Sequence, residues 1–152
     1  MINFINLILS SLAVFIPAFA SSRFNVNSDW YNSLIKPNLQ PPPITFGIVW
    51  PILYLLLIAS IYKLSNSNPP TYLWFIIAIG ILLNFMWTWA FFSNHNARMA
   101  FSIILIYLLI LTIQYFVSYK TDPVAANLLL PLIIWIIFAT YLNYEIISIN
   151  NL

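Results

Sequence analysis

Long runs without a charged residue are the feature that most limits what this chain can fold into. Only 5% of its 152 residues are charged and 62% are hydrophobic, whereas ordinary soluble domains have about 25% and about 45–50%. The mean hydropathy of +0.93 and apolar runs of membrane-spanning length, roughly 20 residues, predict an integral membrane protein. Two glycines and no alternating polar pattern favour helices over a barrel. We therefore expect an all-α, multi-pass membrane protein.

Five apolar runs divide the sequence into spans within one domain that covers residues 1–152. Their bounds predict a bundle of five transmembrane helices at about 2–22, 44–64, 72–92, 98–119 and 123–147. A lid loop at 23–43 separates the first two helices. Five spans place the termini on opposite sides of the membrane. The Lys and Arg residues give a small preference for a cytoplasmic C-terminus.

Composition also excludes several classes of function. A net charge of +2 is too small for nucleic-acid binding. The absence of cysteine removes disulfides and thiolate metal sites, and one histidine, His95 in a turn, leaves little for any metal. The chain has no pair of carboxylates on one face, and its charges lie near the span ends, which argues against ion transport. We expect no metal site.

The stretch from Trp30 to Tyr54 is the most unusual part of the sequence. It contains half of the prolines, which fix φ and keep the preceding residues out of helical conformation, so the lid loop is predicted to be stiff and extended. The helix that follows brings Phe46, Trp50 and Tyr54 onto one face. The pattern predicts a lid and one wall of a pocket. The candidate lid residues are Trp30, Lys36, Pro37, Pro41 and Pro42.

Two other helices carry similar faces. The third places Asn84, Trp87 and Phe91 together, and the fifth does the same with the group Trp135, Ala139 and Leu142. Rings with a few polar groups are typical of a site for a flat, largely apolar ligand. The same pattern fits ordinary packing, in which Asn84, Asn143, Gln114 and Thr112 serve as interhelical hydrogen-bonding groups. The faces alone leave both interpretations open.

Several motifs in order resemble a known membrane family. They are Trp30-Tyr31-Asn32-Ser33-Leu34-Ile35-Lys36-Pro37, Pro41-Pro42, Phe46-Gly47-Ile48-Val49-Trp50 with Leu53-Tyr54, the block Asn84 to Phe92, and the block Leu129 to Asn143. Together they resemble the TspO/MBR family, the tryptophan-rich sensory or translocator proteins once called the peripheral benzodiazepine receptor. The resemblance runs from the first helix to the C-terminus.

The resemblance implies a five-helix bundle, usually a homodimer, in a bacterial cell membrane. It also implies a cavity under the first loop that binds synthetic benzodiazepine-site ligands and porphyrins such as protoporphyrin IX or haem, stacked without an axial ligand and with no cofactor required. By position, the family's pocket residues fall on Tyr31, Phe46, Trp50, Asn84, Trp87, Trp135, Ala139 and Leu142. The helical faces add Tyr54 and Phe91 to this site.

The expected function is that of a tetrapyrrole sensor or scavenger. The resemblance adds light-dependent porphyrin breakdown, with Trp50 and Trp135 as the candidate photochemical residues, and the alternative is a transporter of porphyrins or other small hydrophobic molecules. Two departures from the family pattern are visible. Leu39 stands where a lid tryptophan is common, and Tyr144 is followed by Glu145 and not by the basic residue of the sterol motif. No sterol binding is expected through that motif.

Overall fold

The structure is a computed structural model that describes residues 3–24 and 28–152. The described residues contain helices and no strand. The helices are α1 (Phe4–Ser21), α2 (Asp29–Ser33), α3 (Pro43–Ser65), α4 (Thr71–Thr88) with a π-helical turn (Trp89–Ser93) continuing it, α5 (Ala97–Thr121), α6 (Pro123–Asn127) and α7 (Leu130–Ile149).

Five helical segments are long and apolar enough to cross a membrane. They are α1, α3, α4 with its π-helical turn, α5, and α6 together with α7. Large apolar side chains such as Phe75, Leu109 and Ile134 lie exposed on their outer faces, as expected for surfaces that contact lipid. The predicted fold class, an all-α integral membrane bundle of five transmembrane helices, is confirmed.

The five spans form a closed ring. The helix α1 packs against α3 and α4, α5 packs against α4 and α7, and α3 and α7 make the least contact of all the neighbours. The order around the ring is therefore α1, α3, α7, α5 and α4. Its core consists of fully buried aliphatic side chains, among them Leu64, Leu73, Ile104, Leu111, Leu132 and Ile136.

Several helix ends follow directly from the local sequence. Pro43 opens α3 at a position where a missing N–H costs nothing, and the Asn96 side chain caps α5 by accepting from the Met99 amide. The carboxylate of Asp122 caps the last span by accepting from the amides of Val124 and Ala125. The Ala125 amide, with Lys63 3.5 Å away, holds the pKa of Asp122 below its usual value.

The lid loop differs from its predicted form. Within the range 23–43 the chain forms one helical turn, α2, before the extended segment begins. Ser28 starts it by accepting from the Tyr31 amide at 3.2 Å, which is the usual chemistry of a helix N-cap. Residues 25–27 of the predicted loop and Ile2 of the predicted first helix lie outside the described residues. We use the name lid for residues 28–42.

Two predicted helices are also less regular than expected. The helix predicted at 123–147 is broken at Leu128 and Leu129 into α6 and α7, because Pro131 has no N–H to continue the ladder and its ring disfavours helix before it. The span predicted at 72–92 ends in π-helical geometry, shown by the 2.9 Å bond from the Asn94 amide to the Trp89 carbonyl. The remaining helix bounds differ by one or two residues, the usual scatter of helix ends.

Candidate functional site

A small cavity lies between the lid and helices α3, α4 and α7. Its volume is about 50 Å³, enough for one or two water molecules at about 30 Å³ each. Pockets for drug-sized ligands measure about 300–1,000 Å³, so the site is closed in this conformation. The residues that line it are Tyr31, Gln40, Phe46, Trp87, Phe91, Phe92, Ala139, Leu142, Asn143 and Ile146.

The π-helical turn accounts for the two phenylalanines in this lining. In an α-helix with about 100° per residue, Phe91 would lie about 40° from Trp87 around the axis but Phe92 about 140°, so Phe92 would point away from Trp87. The wider turn allows both to contact Trp87. The Phe91 ring stacks on the Trp87 indole with centroids 5.8 Å apart, and Phe92 meets the same indole edge-on at 6.1 Å. Such turns occur frequently at functional sites.

The polar groups on the α7 side of the cavity are already paired. The Trp87 Nε1–H donates to Asn143 Oδ1 at 3.1 Å, and Asn143 Nδ2 donates to the Ala97 carbonyl at 3.0 Å. Asn143 is buried and joins α7 to both α4 and α5. Of the two interpretations that the sequence left open, interhelical hydrogen bonding therefore applies to Asn143.

We call the lid residues Tyr31, Lys36 and Gln40 the roof of the cavity. Tyr31 contacts the other two. Its ring meets Phe92 edge-on with centroids 5.4 Å apart, and Gln40 Nε2 donates to its hydroxyl at 3.4 Å. The ammonium of Lys36 lies 3.4 Å from the centre of the same ring and also donates to the Tyr31 carbonyl. This is a cation–π contact supported by a hydrogen bond, and it helps to hold the Tyr31 ring in place.

Burial affects both titratable groups of the roof. Desolvation raises the pKa of the Tyr31 hydroxyl and lowers the pKa of the Lys36 ammonium, because burial disfavours the charged form of each group. The Lys36 ammonium has no carboxylate partner within ion-pair distance among the described residues. The roof therefore carries a half-buried positive charge without a counter-ion from the described part of the chain.

Two contacts attach the lid to the helix ends. The indole of Trp30 stacks on the His95 ring with centroids 4.8 Å apart and meets Phe91 edge-on at 5.5 Å. His95 is exposed in its turn, as predicted, with a φ of 51°. On the other side, Asn150 Oδ1 accepts from the Ile35 amide at 2.8 Å, and Asn150 Nδ2 donates to the Ile35 carbonyl at 3.0 Å.

Four predicted site residues do not line this cavity. Trp50 packs on Tyr54 with ring centroids 5.4 Å apart. Trp135 meets Phe46 edge-on at 5.7 Å, so the Phe46 ring lies between the Trp135 indole and the cavity. Tyr54 and Asn84 line a separate void of about 10 Å³ next to α1. There the Tyr54 hydroxyl lies 3.5 Å from Asn84 Oδ1.

Six predicted residues do meet at the cavity, together with four that the sequence did not single out for it. The six are Tyr31, Phe46, Trp87, Phe91, Ala139 and Leu142, and the four additions are Gln40, Phe92, Asn143 and Ile146. Gln40 had a readable signal, since it is an amide among apolar and proline residues in the lid loop. Phe92 had none, because the π-helical turn that brings it inward is not evident from helical periodicity.

Comparison with known proteins agrees with this architecture. The model of the TspO/MBR family matches residues 5–149 of the sequence. The chain belongs to the TspO/MBR family. The family resemblance inferred from the motifs is thereby confirmed, and this TspO/MBR chain is an integral, multi-pass membrane protein.

Relatives within the TspO/MBR family come from all three domains of life. The tryptophan-rich protein TspO of Bacillus cereus is 32% identical over 86% of this chain and 87% of its own length. The protein of the same name from Archaeoglobus fulgidus is 34% identical over 97% and 99%. The translocator protein of Homo sapiens is 29% identical over 88% and 83%. The matches span nearly the whole bundle.

Proposed function

We propose that this TspO/MBR protein binds a flat, largely apolar molecule of the porphyrin type beneath the lid and serves as a tetrapyrrole sensor or scavenger in a bacterial cell membrane. The observation that supports it best is the cavity itself, in which rings from α3, α4 and the lid converge on one space. Aromatic walls suit a planar guest that stacks. Ala139 and the neighbouring aliphatic residues of α7 leave the opposite wall free of bulky rings.

Binding of a porphyrin requires the cavity to open. A volume of about 50 Å³ is several times smaller than the pockets that hold ligands of this size. The contacts that a moving lid must break are limited in number. They are Trp30 on His95 and Phe91, the burial of Leu34, and the bonds between Ile35 and Asn150. We therefore propose that the ligand displaces the lid, and that association is slower than for a preformed site.

The experiment that tests the site uses two substitutions on the same helix. Ala139→Phe fills the cavity, whereas Ile137→Phe adds bulk on the lipid side, where Ile137 is 53% exposed. Protoporphyrin IX is titrated into detergent-solubilised protein and followed by quenching of tryptophan fluorescence. We expect Ala139→Phe to weaken binding at least roughly tenfold, about 1.4 kcal/mol, and Ile137→Phe to leave it unchanged. Equal affinity in both variants and the wild type would remove the cavity as the site.

Light-dependent breakdown of the bound porphyrin is a second candidate activity. The observation that favours it is the position of Trp135, whose indole contacts Phe46 of the cavity wall and whose buried Nε1 has no partner among the described residues. A photoexcited porphyrin beside an indole can exchange an electron with it, and the ligand and light would supply the reactivity. Illumination should then bleach the bound porphyrin in the wild type and not in the double variant Trp50→Phe, Trp135→Phe. Bleaching at the wild-type rate in that variant would exclude these two indoles.

The same proposal includes a homodimer in the membrane, formed through apolar helix faces that a single chain leaves exposed. Such faces occur on α1, where Phe4, Ile8 and Phe15 are exposed, and on α5. The Tyr144–Glu145 sequence in α7 supplies no basic residue for a sterol motif, so sterol binding through that motif is not part of the proposal.

A further inference from the structure

The polar groups around the cavity differ in whether their hydrogen bonds are satisfied. Asn143 and Trp87 bond to each other, and Asn143 also bonds to Ala97. Gln40 differs, because its Oε1 is buried and accepts no hydrogen bond from any residue that the structure describes. Buried polar atoms without a partner are rare and energetically costly. In this arrangement Gln40 Oε1 lacks a donor, so Gln40 is the polar cavity residue whose hydrogen bonding is incomplete.

The Gln40 amide and the Tyr31 hydroxyl together can serve a hydrogen-bond acceptor. In the arrangement of the structure, Gln40 Nε2 donates to the Tyr31 hydroxyl at 3.4 Å, which leaves the hydroxyl proton free to donate. A half-turn of the Gln40 amide lets the Tyr31 hydroxyl donate to Oε1 and frees both N–H groups of Gln40. Each arrangement offers a donor to an acceptor on the ligand: the Tyr31 hydroxyl in the first and a Gln40 N–H in the second. Only the second arrangement also pairs Oε1, so an acceptor on the ligand favours it.

Lys36 sets the preferred charge of that acceptor. Its ammonium lies against the Tyr31 ring, is partly removed from water, and has no carboxylate partner within ion-pair distance in the described ranges. The lowered pKa of Lys36 reflects the cost of holding this charge without compensation. A neighbouring anion would relieve that cost and would form charge-assisted hydrogen bonds. The roof therefore favours a negative group over a neutral one.

We infer that Gln40 and the Tyr31 hydroxyl form a carboxylate subsite at the lid end of the cavity, with the Lys36 ammonium over the Tyr31 ring supplying positive charge beside it. A ligand would place its apolar plane among the rings of Phe46, Phe91 and Phe92 and direct its carboxylate toward the lid, at the edge of the bundle. This inference rests on the proposed function and specifies the ligand class: a flat apolar acid. The Asn84 amide, which the sequence suggested as the polar contact, lines the other void.

The test compares protoporphyrin IX, which carries two carboxylates, with its dimethyl ester, which carries none. The variants are Gln40→Leu and Lys36→Met, and the matched control is Asn38→Leu, an exposed position of the same lid. We expect each of the first two substitutions to weaken binding of the diacid about 5- to 10-fold, as loss of a hydrogen bond to a charged group does, and to change binding of the ester less than about twofold. Asn38→Leu should change neither.

A second substitution keeps the test decisive if Gln40→Leu disturbs the lid. Gln40→Glu preserves the size of the side chain and places a negative charge at the subsite, so the diacid should bind more weakly than in Gln40→Leu while the ester is unaffected. Equal losses for diacid and ester in these variants would overturn the carboxylate subsite and leave the cavity intact as a binding site. Failure of the wild type to bind either porphyrin would contradict the proposed function itself, and the subsite with it.

Discussion

The buried amide of Asn143 connects three helices. It accepts from the Trp87 indole on α4 and donates to the Ala97 carbonyl at the start of α5, while its own backbone belongs to α7. Because no water is available in the membrane interior, polar groups there depend on partners within the protein. Asn143 therefore fixes the orientation of the Trp87 indole, which forms one wall of the cavity.

Replacing Asn143 by leucine should destabilise the bundle. The substitution leaves the Trp87 N–H without a partner and removes a bond to Ala97, at a cost of about 1–3 kcal/mol. Thr112→Val is the control. Thr112 was predicted to join helices, but its hydroxyl bonds to the Leu108 carbonyl of its own helix, so its loss should cost much less. Unfolding in mixed detergent micelles measures both, and equal stabilities of the two variants would contradict this account.

Side-chain identity predicted which residues line the cavity better than it predicted which polar side chains bond to each other. Trp87, Ala139 and Leu142 lie where helical spacing and the family motifs placed them, since one face of a long helix keeps its direction over several turns. Asn84 and Gln114 carry the same amide chemistry as Asn143, yet Asn84 lines a second void and Gln114 Nε2 finds no partner among the described residues. Which amide finds which partner depends on helix rotation, which composition does not determine.

Among the secondary-structure elements, the lid is held by the far end of the chain. The side chain of Asn150, just beyond α7, forms two hydrogen bonds with the backbone of Ile35, in the manner of one rung of a sheet. A third bond, from Nδ2 to the Ile146 carbonyl at 2.9 Å, fixes the amide to the helix end. Leu34 next to the clamped residue is buried against the bundle. These hydrogen bonds of Asn150, which we call the clamp, are therefore one of the contacts that resist opening of the lid.

Removing the clamp should free the lid without unfolding the bundle. In Asn150→Ala, hydrogen exchange of peptides covering residues 31–40 should accelerate roughly tenfold, because the Ile35 amide loses its acceptor and opening becomes easier by about 1–2 kcal/mol. Exchange within α5 should stay unchanged. Ser148→Ala, at an exposed position of α7, is the control. Wild-type exchange rates in Asn150→Ala would show that the ring contacts alone hold the lid.

The elements that the sequence did not predict are the short or irregular ones. Five long apolar runs were enough to place the spans. The helix α2 begins with a cap at Ser28, and the π-helical turn includes the shifted bond from the Asn94 amide to the Trp89 carbonyl. Such features are decided by tertiary packing of a few residues and leave little periodic signal.

At the scale of the whole molecule, the distribution of charge bears on the choice between a binding protein and a driven transporter. Within the described residues, charged side chains lie near the span ends, with Glu145 about one turn from the end of α7, and none lies at mid-depth where coupling to ions or protons would need one. A pathway coupled to ions or protons would therefore lack a charged group at mid-depth among these residues.

Proteoliposomes can distinguish the scavenger from the transporter. We expect the amount of protoporphyrin on vesicles that contain the protein to be proportional to the number of binding sites. An imposed pH gradient should not increase that amount. The Ala139→Phe variant shows how much of the signal depends on the cavity. Gradient-driven accumulation that this variant abolishes would favour the transporter.

The π-helical turn Trp89–Ser93 makes the length of this segment more critical than its composition. It holds one residue more than a regular α-helix would over the same rise. Deleting a single residue would let α4 finish regularly, but it would rotate the following residues by about 100° and separate His95 from the Trp30 indole. An insertion would shift them the other way. Substitutions in this segment can therefore replace one aromatic residue by another. Insertion or deletion of one residue would displace both the lid and the cavity wall.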